Sequence, residues 1–316
     1  MNPITEAGVY DGIPEDLYHG QLTDTPSLSR SMAVTLVDEC PAKAWAESYL
    51  NPEHAPERKR EFDIGKAAHL ALCEPAQFDA RVAIIDAADY KTKAAQEARD
   101  AAYAAGLTPL LPKQVAMVRA MGEAAMRNAI VRDAMAGAAI ERTLVWRDRD
   151  TGIWLKARPD IMSATNRAIL YDYKTTTSAH PRRFERHAFD QAYHCQAAWY
   201  LDAVEATMGW RPETFALIAQ EKDPPHLVSV VHYDERAIQA GAIMNRRAID
   251  LFADCLARDV WPGYGAKPVT IGLPGYAEMQ FEERRVLGEF DRIRPTKPAK
   301  PPRSLQAASD AAQAPL

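Results

Sequence analysis

The 316-residue sequence lacks any long hydrophobic run, and no stretch approaches the roughly 18 apolar residues of a membrane-spanning helix. Its N-terminal segment does not join a basic start to an apolar stretch, so we expect no secretory signal. A cytoplasmic protein that does not associate with a membrane is therefore predicted.

Cysteine is scarce, and the four residues present are far apart in the sequence: Cys40, Cys73, Cys195 and Cys255. A zinc clip needs closely spaced pairs, and a disulfide framework is typical of short secreted chains. The spacing favours reduced thiols, in agreement with a cytoplasmic location.

An excess of basic residues is also lacking, because the net charge is −5. This argues weakly against a general nucleic-acid coat protein, but a local basic patch can still bind phosphate. With 47% hydrophobic and 26% charged residues, the composition is that of a soluble globular protein, with enough chain for one large domain or two small ones.

Hydrophobic periodicity predicts an α+β or mixed α/β fold without internal repeats. Ser27 or Ser29 is expected to cap the first main helix, and Pro41 to interrupt the chain after it. Helices are predicted at 31–38, 43–50, 63–73, 183–208 and 235–257, with two or three more across 92–137 that break near 106–112. Strands are predicted at 142–149, 153–158, 161–163, 168–174, 215–219 and 227–232.

The tetrapeptide Asp-Tyr-Lys-Thr occurs twice, at 89–92 and 172–175. The first copy precedes an alanine-rich segment, and capping or the helix dipole accounts for an acid such as Asp89 at a helix start. The second copy ends an apolar strand, on which Asp172 and Lys174 project from the same face.

A turn at Thr165-Asn166 lets Asp160 and Asp172 lie close together on adjacent strands. Two clustered carboxylates repel each other unless a cation lies between them, and Mg²⁺ or Mn²⁺ prefers such oxygen ligands. The residues alone leave two interpretations open: a metal site beside Lys174, or exposed charges on a solvated strand.

The order Arg158-Pro159-Asp160 followed by Asp172-Tyr173-Lys174 resembles the PD-(D/E)XK nuclease signature. The surrounding sequence resembles the RecE-like exonucleases of the exodeoxyribonuclease VIII type, which are often phage-encoded in bacterial hosts. The similar segments reach to about residue 265: VYDGIPEDLYH, LSRSMAVTLVDECPAKAW, FDIGKAAHLALCEP, KARPD, YDYKTTT, YHCQAAWYLDA, FALIAQEKDPPH and WPGY.

This resemblance implies a restriction-endonuclease-like core, in which helices flank a central mixed sheet. We expect a single nuclease domain at 1–288, with a helical region at about 27–137 and a catalytic core at about 138–260. A disordered Pro/Ala-rich tail is predicted at 289–316.

The resemblance also implies roles for particular residues. His69, in a G-x-x-x-H frame with Gly65, is the expected metal-binding histidine, and Lys174 is the expected catalytic lysine. The other implied residues are the metal carboxylates Asp160 and Asp172, the Tyr173 carbonyl as a further ligand, and the Q-x-x-x-Y pair Gln196 and Tyr200.

Simpler interpretations exist for several of these residues. On its own, His69 on an apolar helix reads as a core histidine, and Gln196 and Tyr200 could merely pack on a helix face. Glu141 precedes the first strand of the core, where capping or exposure is expected more than a role in orienting a ligand or Lys174.

The resemblance implies a Mg²⁺-dependent exonuclease, with Mn²⁺ as a substitute, that degrades linear double-stranded DNA from the 5′ end. The 3′ single strands left would pass to a RecT-like single-strand annealing protein, and the enzyme would form a homo-oligomeric ring. Some relatives in the wider RecB-like group hold an iron–sulfur cluster with one early cysteine and a late cysteine trio, but only Cys255 follows residue 195 here, so no cluster is expected. The alternatives are a site- or structure-specific endonuclease, or an inactive module that binds DNA ends.

Overall fold

The computed structural model describes residues 2–54, 62–265 and 267–291. The chain divides into two compact units, Met1–Tyr264 and Gly265–Leu316. The single domain predicted at 1–288 stays a prediction. Most of the predicted tail, residues 292–316, lies outside the described residues.

Helices make up most of the described chain outside the sheets, and none of them is both long and apolar enough to span a membrane. The helices of the first unit are α1 (Glu15–His19), α2 (Arg30–Asp38), α3 (Pro41–Ala46), α4 (Asp63–Cys73), α5 (Phe78–Arg81), α6 (Lys93–Ala104), α7 (Pro112–Arg127), α8 (Ala129–Met135), α9 (Pro181–Asp190), α10 (Tyr193–Met208) and α11 (Glu235–Arg258). In the second unit, α12 (Gly275–Val286) has no buried side chain.

The strands of the first unit form three sheets. They are β1 (Gly8–Tyr10), β2 (Ser27–Ser29), β3 (Val82–Ile84), β4 (Thr108–Leu110), β5 (Ala139–Ile140), β6 (Thr143–Arg147), β7 (Trp154–Ala157), β8 (Ile161–Met162), β9 (Ile169–Thr176), β10 (Thr214–Glu221) and β11 (Val228–His232). A four-stranded sheet has the order β1-β6-β7-β2, a five-stranded sheet the order β11-β10-β9-β8-β5, and β3 pairs with β4. The five-stranded sheet is mixed, because β9 and β10 are parallel and the other pairs antiparallel.

One long hairpin connects the two larger sheets. The strands β6 and β7 form an antiparallel ladder in one sheet, and β5 and β8 form one in the other. Leu144 lies opposite Ala157, and Ile140 lies opposite Ile161, so three residues separate the ladders on each strand. The register therefore continues through the change of sheet, which places residues 141–143 opposite residues 158–160.

Apolar layers cover both faces of the five-stranded sheet. On β9 and β10, Leu170 and Leu217 face one layer, which includes α10 and α11, while Tyr171 and Ile218 face the other, which includes α4 and α7. Strands buried on both faces read as continuous apolar runs, as β10 does.

The mixed α/β architecture predicted from the sequence is confirmed, and several details differ. Pro41 begins α3 because its fixed φ suits the first helical position, whereas a break was expected there. The predicted break near 106–112 contains the short strand β4. The predicted helix at 183–208 is two helices, because Ala192 has a left-handed φ of 49° and Arg30 donates hydrogen bonds of 2.6 Å to the carbonyls of Gln191 and Ala192.

Candidate active site

The second Asp-Tyr-Lys-Thr copy lies in the interior strand β9, between β8 and β10. Asp172 and Lys174 project from the same face, and the Lys174 ammonium contacts Asp172 Oδ2. The amide of Gln196, on α10, donates a 2.7 Å hydrogen bond to Asp172 Oδ1. The structure thus brings together three of the predicted residues, with Asp172 buried between an ammonium group and an amide.

The bend of the long hairpin brings two further carboxylates together. Glu141 lies opposite Asp160, and its backbone N–H donates a 3.1 Å hydrogen bond to the Asp160 carbonyl. Glu141 adopts a left-handed φ of 53°, which is uncommon for a residue other than glycine and often occurs at functional sites. The opposed pair lies where the chain leaves one sheet for the other.

Helix α4 supplies a histidine to this pair. His69 Nε2 lies 3.2 Å from Glu141 Oε1 and 3.6 Å from Asp160 Oδ2. One ligand atom from each of the three residues falls within 4.8 Å of the others, a spacing that one metal ion can bridge. The buried Nε2 atom makes no hydrogen bond of good geometry among the described residues, so the neutral form of the imidazole could bind a cation through it.

Asp172 lies beside this group but is not part of it. The register of β8 and β9, extended by one residue, places Asp160 opposite Asp172. The Oδ2 atom of Asp160 accepts a 2.8 Å hydrogen bond from the Tyr173 N–H. The structure therefore groups His69 and Asp160 with Glu141, while Asp172 pairs with Lys174. A direct metal bond from Asp172 stays a prediction.

The two tyrosines among the predicted residues have different surroundings. The Tyr173 side chain points to the opposite sheet face, where its hydroxyl donates a 2.5 Å hydrogen bond to Gln220 Oε1, so only its carbonyl is left for the predicted role. Tyr200 packs edge-on against Phe215, with ring centroids 5.8 Å apart, and its hydroxyl interacts with Gln196. Tyr200 thus contacts the site through Gln196.

The carboxyl groups of the site differ in their affinity for protons. Burial, together with the charge of Asp160, raises the pKa of Glu141 to about 7 and that of Asp172 to about 6. Burial also acts to raise the pKa of Asp160, but His69 and Lys174 outweigh it and keep the pKa low. Without a cation the clustered acids would share protons near neutral pH, so the donor set fits a divalent metal ion.

The two basic groups are held in their charged forms by these acids. Burial acts to lower the pKa of His69, but Asp160 outweighs it and raises the pKa well above 6.5. The pKa of Lys174 is also raised, because Asp172 and Asp160 outweigh its burial. Lys174 therefore remains an ammonium ion at neutral pH.

Glu141 and Arg158 belong to the site, although no main role is predicted for either of them from the sequence. Arg158 donates hydrogen bonds to Thr143 Oγ1 (3.0 Å) and to the Ile13 carbonyl (2.9 Å), stacks 4.1 Å above the Tyr18 ring, and has its Nε 3.9 Å from Glu141 Oε2. It thereby limits the movement of the bend that carries Glu141. Three residues separate the two ladders on each arm of the hairpin, so Glu141 falls opposite Asp160. This spacing could have identified Glu141 as a site residue from the sequence, but only if the strand register had been known.

The mixed sheet, the histidine from α4 and the Asp–Asp–Lys group define the class of protein as a PD-(D/E)XK nuclease fold. The chain belongs to the family described as "PDDEXK-like domain of unknown function (DUF3799)", which it matches over residues 29–269. No curated protein matches it significantly.

The chain is also similar to a solved structure, that of a candidate exonuclease from Eubacterium rectale. The two share 11% sequence identity with a TM-score of 0.57, and the alignment covers 85% of this chain and 98% of the other. At this identity the similarity establishes the fold.

Proposed function

We propose that the protein is a DNA exonuclease that uses a divalent metal ion, Mg²⁺ with Mn²⁺ as a substitute. The observation that carries the proposal is the convergence of His69, Glu141 and Asp160, within bonding reach of one cation, beside the Asp172–Lys174 pair. His69, Glu141 and Asp160 would hold the ion, with Asp172 next to it. When bound, such an ion polarises the phosphoryl oxygen and makes water a better nucleophile.

Lys174 supplies positive charge close to the reacting phosphate in this proposal. Because the nearby carboxylates keep it protonated, it suits charge stabilisation in the transition state better than proton abstraction. The hydrogen bond from Gln196 and the contact with Lys174 fix the Asp172 carboxylate on the same side.

We further propose the RecE-like subtype, on the basis of the sequence resemblance. The enzyme would then act on double-stranded DNA ends from 5′ to 3′, leave 3′ single strands for a RecT-like single-strand annealing protein in recombination, and work as a homo-oligomer in the bacterial cytoplasm. The solved structure of the candidate exonuclease from E. rectale supports the fold, and the RecE-like subtype rests on the sequence resemblance alone.

DNA topology offers a direct test. Incubation of purified protein with linear and with covalently closed circular duplex DNA, with Mg²⁺ or with chelator, should degrade only the linear DNA and only with metal. Nicking of the circle would indicate an endonuclease, and no cleavage of either substrate would indicate a binding module; both outcomes contradict the proposal. Labels at the 5′ or the 3′ end then report polarity.

A further inference from the structure

Helix α9 presents a basic and aromatic face to solvent, and it begins at Pro181, shortly after β9 ends. Phe184 and Ala188 are buried and attach the helix to the core. Arg182, Arg186 and Phe189 are exposed, and their spacing of four and three residues places them along one side of the helix.

The arginines of α9 have no anionic partner among the described residues. Arg182, Arg183 and Arg186 are exposed and form no ion pair, although Glu185 and Asp190 are near in sequence. In addition, each arginine is three or four positions from another, an arrangement in which like charges disfavour the helix. Two of them lie in the first turn, where the helix dipole also disfavours cations.

Several other surface arginines are neutralised, although Arg127, Arg132 and Arg167 form no ion pair among the described residues. Arg246 on α11 contacts carboxylates of Asp148 and Asp250 at 2.7 Å, and Arg211 contacts those of Asp202 and Glu205 at 2.6 and 2.7 Å. Because the α9 arginines repel one another and two of them oppose the helix dipole, the stability of the helix does not explain them, and an external polyanion would remove their mutual repulsion.

Phe189 forms a supported aromatic surface beside these arginines. Its side chain is 70% exposed, yet its ring stacks on the buried His194 with centroids 5.8 Å apart and planes 10° apart. His194 in turn meets the Tyr233 ring edge-on at 6.4 Å. His194 therefore supports one face of the Phe189 ring, while the rest of the side chain remains open to solvent.

This face is connected to the candidate active site through aromatic contacts. His187, on α9, lies 6.1 Å from the Tyr193 ring, and the Lys174 ammonium lies 5.2 Å from the same ring. Arg183 is one helical turn from His187, so it lies one turn from a residue that contacts the same tyrosine ring as Lys174.

We propose that this α9 face, formed by Arg182, Arg183, Arg186 and Phe189, binds a single strand of DNA next to the active site. The inference rests on the proposed action on DNA. The arginines contact successive phosphates and Phe189 stacks on a base, which is accessible only when the base is unpaired. A duplex-binding surface would need the arginines but not the ring.

The arginines are tested by replacing all three with glutamine and measuring the affinity for a fluorescent oligothymidylate of about 20 nucleotides. The measurement uses the full chain with chelator, at several salt concentrations, so that no cleavage occurs. Loss of three phosphate contacts should weaken binding and reduce the slope of log affinity against log salt by about 2. Unchanged affinity and slope would overturn the proposal.

A matched control changes net charge by the same amount elsewhere. Arg127 and Arg132 are exposed and unpaired on helices that cover the other face of the sheet, and Arg167 lies in the turn between β8 and β9. The triple glutamine variant of these arginines should bind like wild type. An equal loss of affinity in both variants would mean that net charge alone attracts the strand, and would overturn the proposal.

Phe189→Leu separates stacking from hydrophobic contact. It should weaken oligothymidylate binding about tenfold, without changing the salt slope, and should have much less effect on a fully paired duplex. Wild-type affinity in this variant would contradict the role of the ring. A lower oligomeric mass of the Phe189→Leu variant with unchanged DNA affinity would also contradict it, because the α9 face would then be a contact between subunits.

The two proposals fail separately. If wild type binds single strands through α9 but cleaves no DNA with metal, the exonuclease function is wrong and the binding face stands. If wild type degrades linear DNA while the α9 variants bind single strands normally, the binding face is wrong and the exonuclease function stands.

Discussion

The two Asp-Tyr-Lys-Thr copies are identical in sequence but differ in their surroundings. In the first copy, the Asp89 and Lys91 side chains are 46% and 88% exposed, and their charged atoms lie 3.5 Å apart. In the second copy, the Asp172 and Lys174 side chains are only 1% and 24% exposed and are in direct contact. Water screens the first pair, whereas the second lies in a low-dielectric setting that strengthens its electrostatic interactions.

The local backbone explains this difference. The first copy forms a turn before α6, in which Asp89 Oδ1 accepts a 2.9 Å hydrogen bond from the Lys91 N–H and Thr92 is the N-cap. Asp89 lies near the helix start as predicted, but the residue that caps the helix is Thr92, three residues further on. The second copy is extended between two strands, so alternate side chains meet on one face. Identical residues thus serve a helix start in one place and a candidate reaction site in the other.

Asp172→Ala should have the largest effect. Loss of the buried carboxylate beside the cation site and Lys174 should reduce Mg²⁺-dependent cleavage of linear DNA by about 10⁴-fold or more. Asp89→Ala is the matched control and should retain wild-type activity. Comparable losses in both variants would remove the functional distinction between the copies.

Lys174→Ala should reduce the cleavage rate by about 10²–10⁴-fold while DNA binding in chelator is retained, because the ammonium acts on charge that develops in the reaction. Lys91→Ala should match wild type in both measurements. A wild-type rate for Lys174→Ala would exclude Lys174 from the chemistry.

Metal affinity should rise with pH, because a cation binds the deprotonated ligands. At pH 6 the metal must displace protons from Glu141, whose pKa is about 7, and from His69, whose pKa lies well above 6.5, while Asp172, with a pKa of about 6, is partly protonated beside them. Calorimetric Mn²⁺ titrations should show affinity increasing by about tenfold per pH unit for each proton released, up to about pH 8. Asp172→Asn should reduce the dependence and Asp89→Asn should not; a flat profile in the wild type would count against this donor set.

Each copy also has a glutamine neighbour. Gln196 holds the Asp172 carboxylate, whereas Gln96 donates a 3.0 Å hydrogen bond to the Tyr90 carbonyl. Gln196→Ala should lower the turnover number by about tenfold with little change in KM, since it positions a group that acts in the transition state. Gln96→Ala should leave both constants unchanged, and a mere KM effect in Gln196→Ala would place that residue in substrate binding.

Thr92→Ala should have the smallest effect. Thr92 Oγ1 accepts a 3.2 Å hydrogen bond from the Ala95 N–H, and loss of an N-cap side chain typically lowers the free energy of unfolding by about 1 kcal/mol. Urea unfolding should show this loss without any loss of nuclease activity. Inactivation by Thr92→Ala at full stability would show that the first copy is functional after all.

Much of the fold could be predicted because local patterns report it directly. The apolar run before Asp172 marks β9, and the periodic segment around His69 gives the bounds of α4 as Asp63–Cys73. The break between α9 and α10 could not be predicted, because Ala192 adopts its left-handed conformation in a turn that distant Arg30 bonds. Glu141 was likewise missed as a partner of His69, since their proximity depends on strand register.

Amino-acid order alone was sufficient for the mixed architecture and for the facing of Asp172 and Lys174, because strand and helix periodicities act over a few residues. The proximity of His69 to Glu141, the exposure of Phe189 above His194 and the burial of one tetrapeptide copy all depend on contacts between residues far apart in the chain. Such contacts follow from the packing of whole elements, so the charges of this site acquire their chemistry only when the chain is folded.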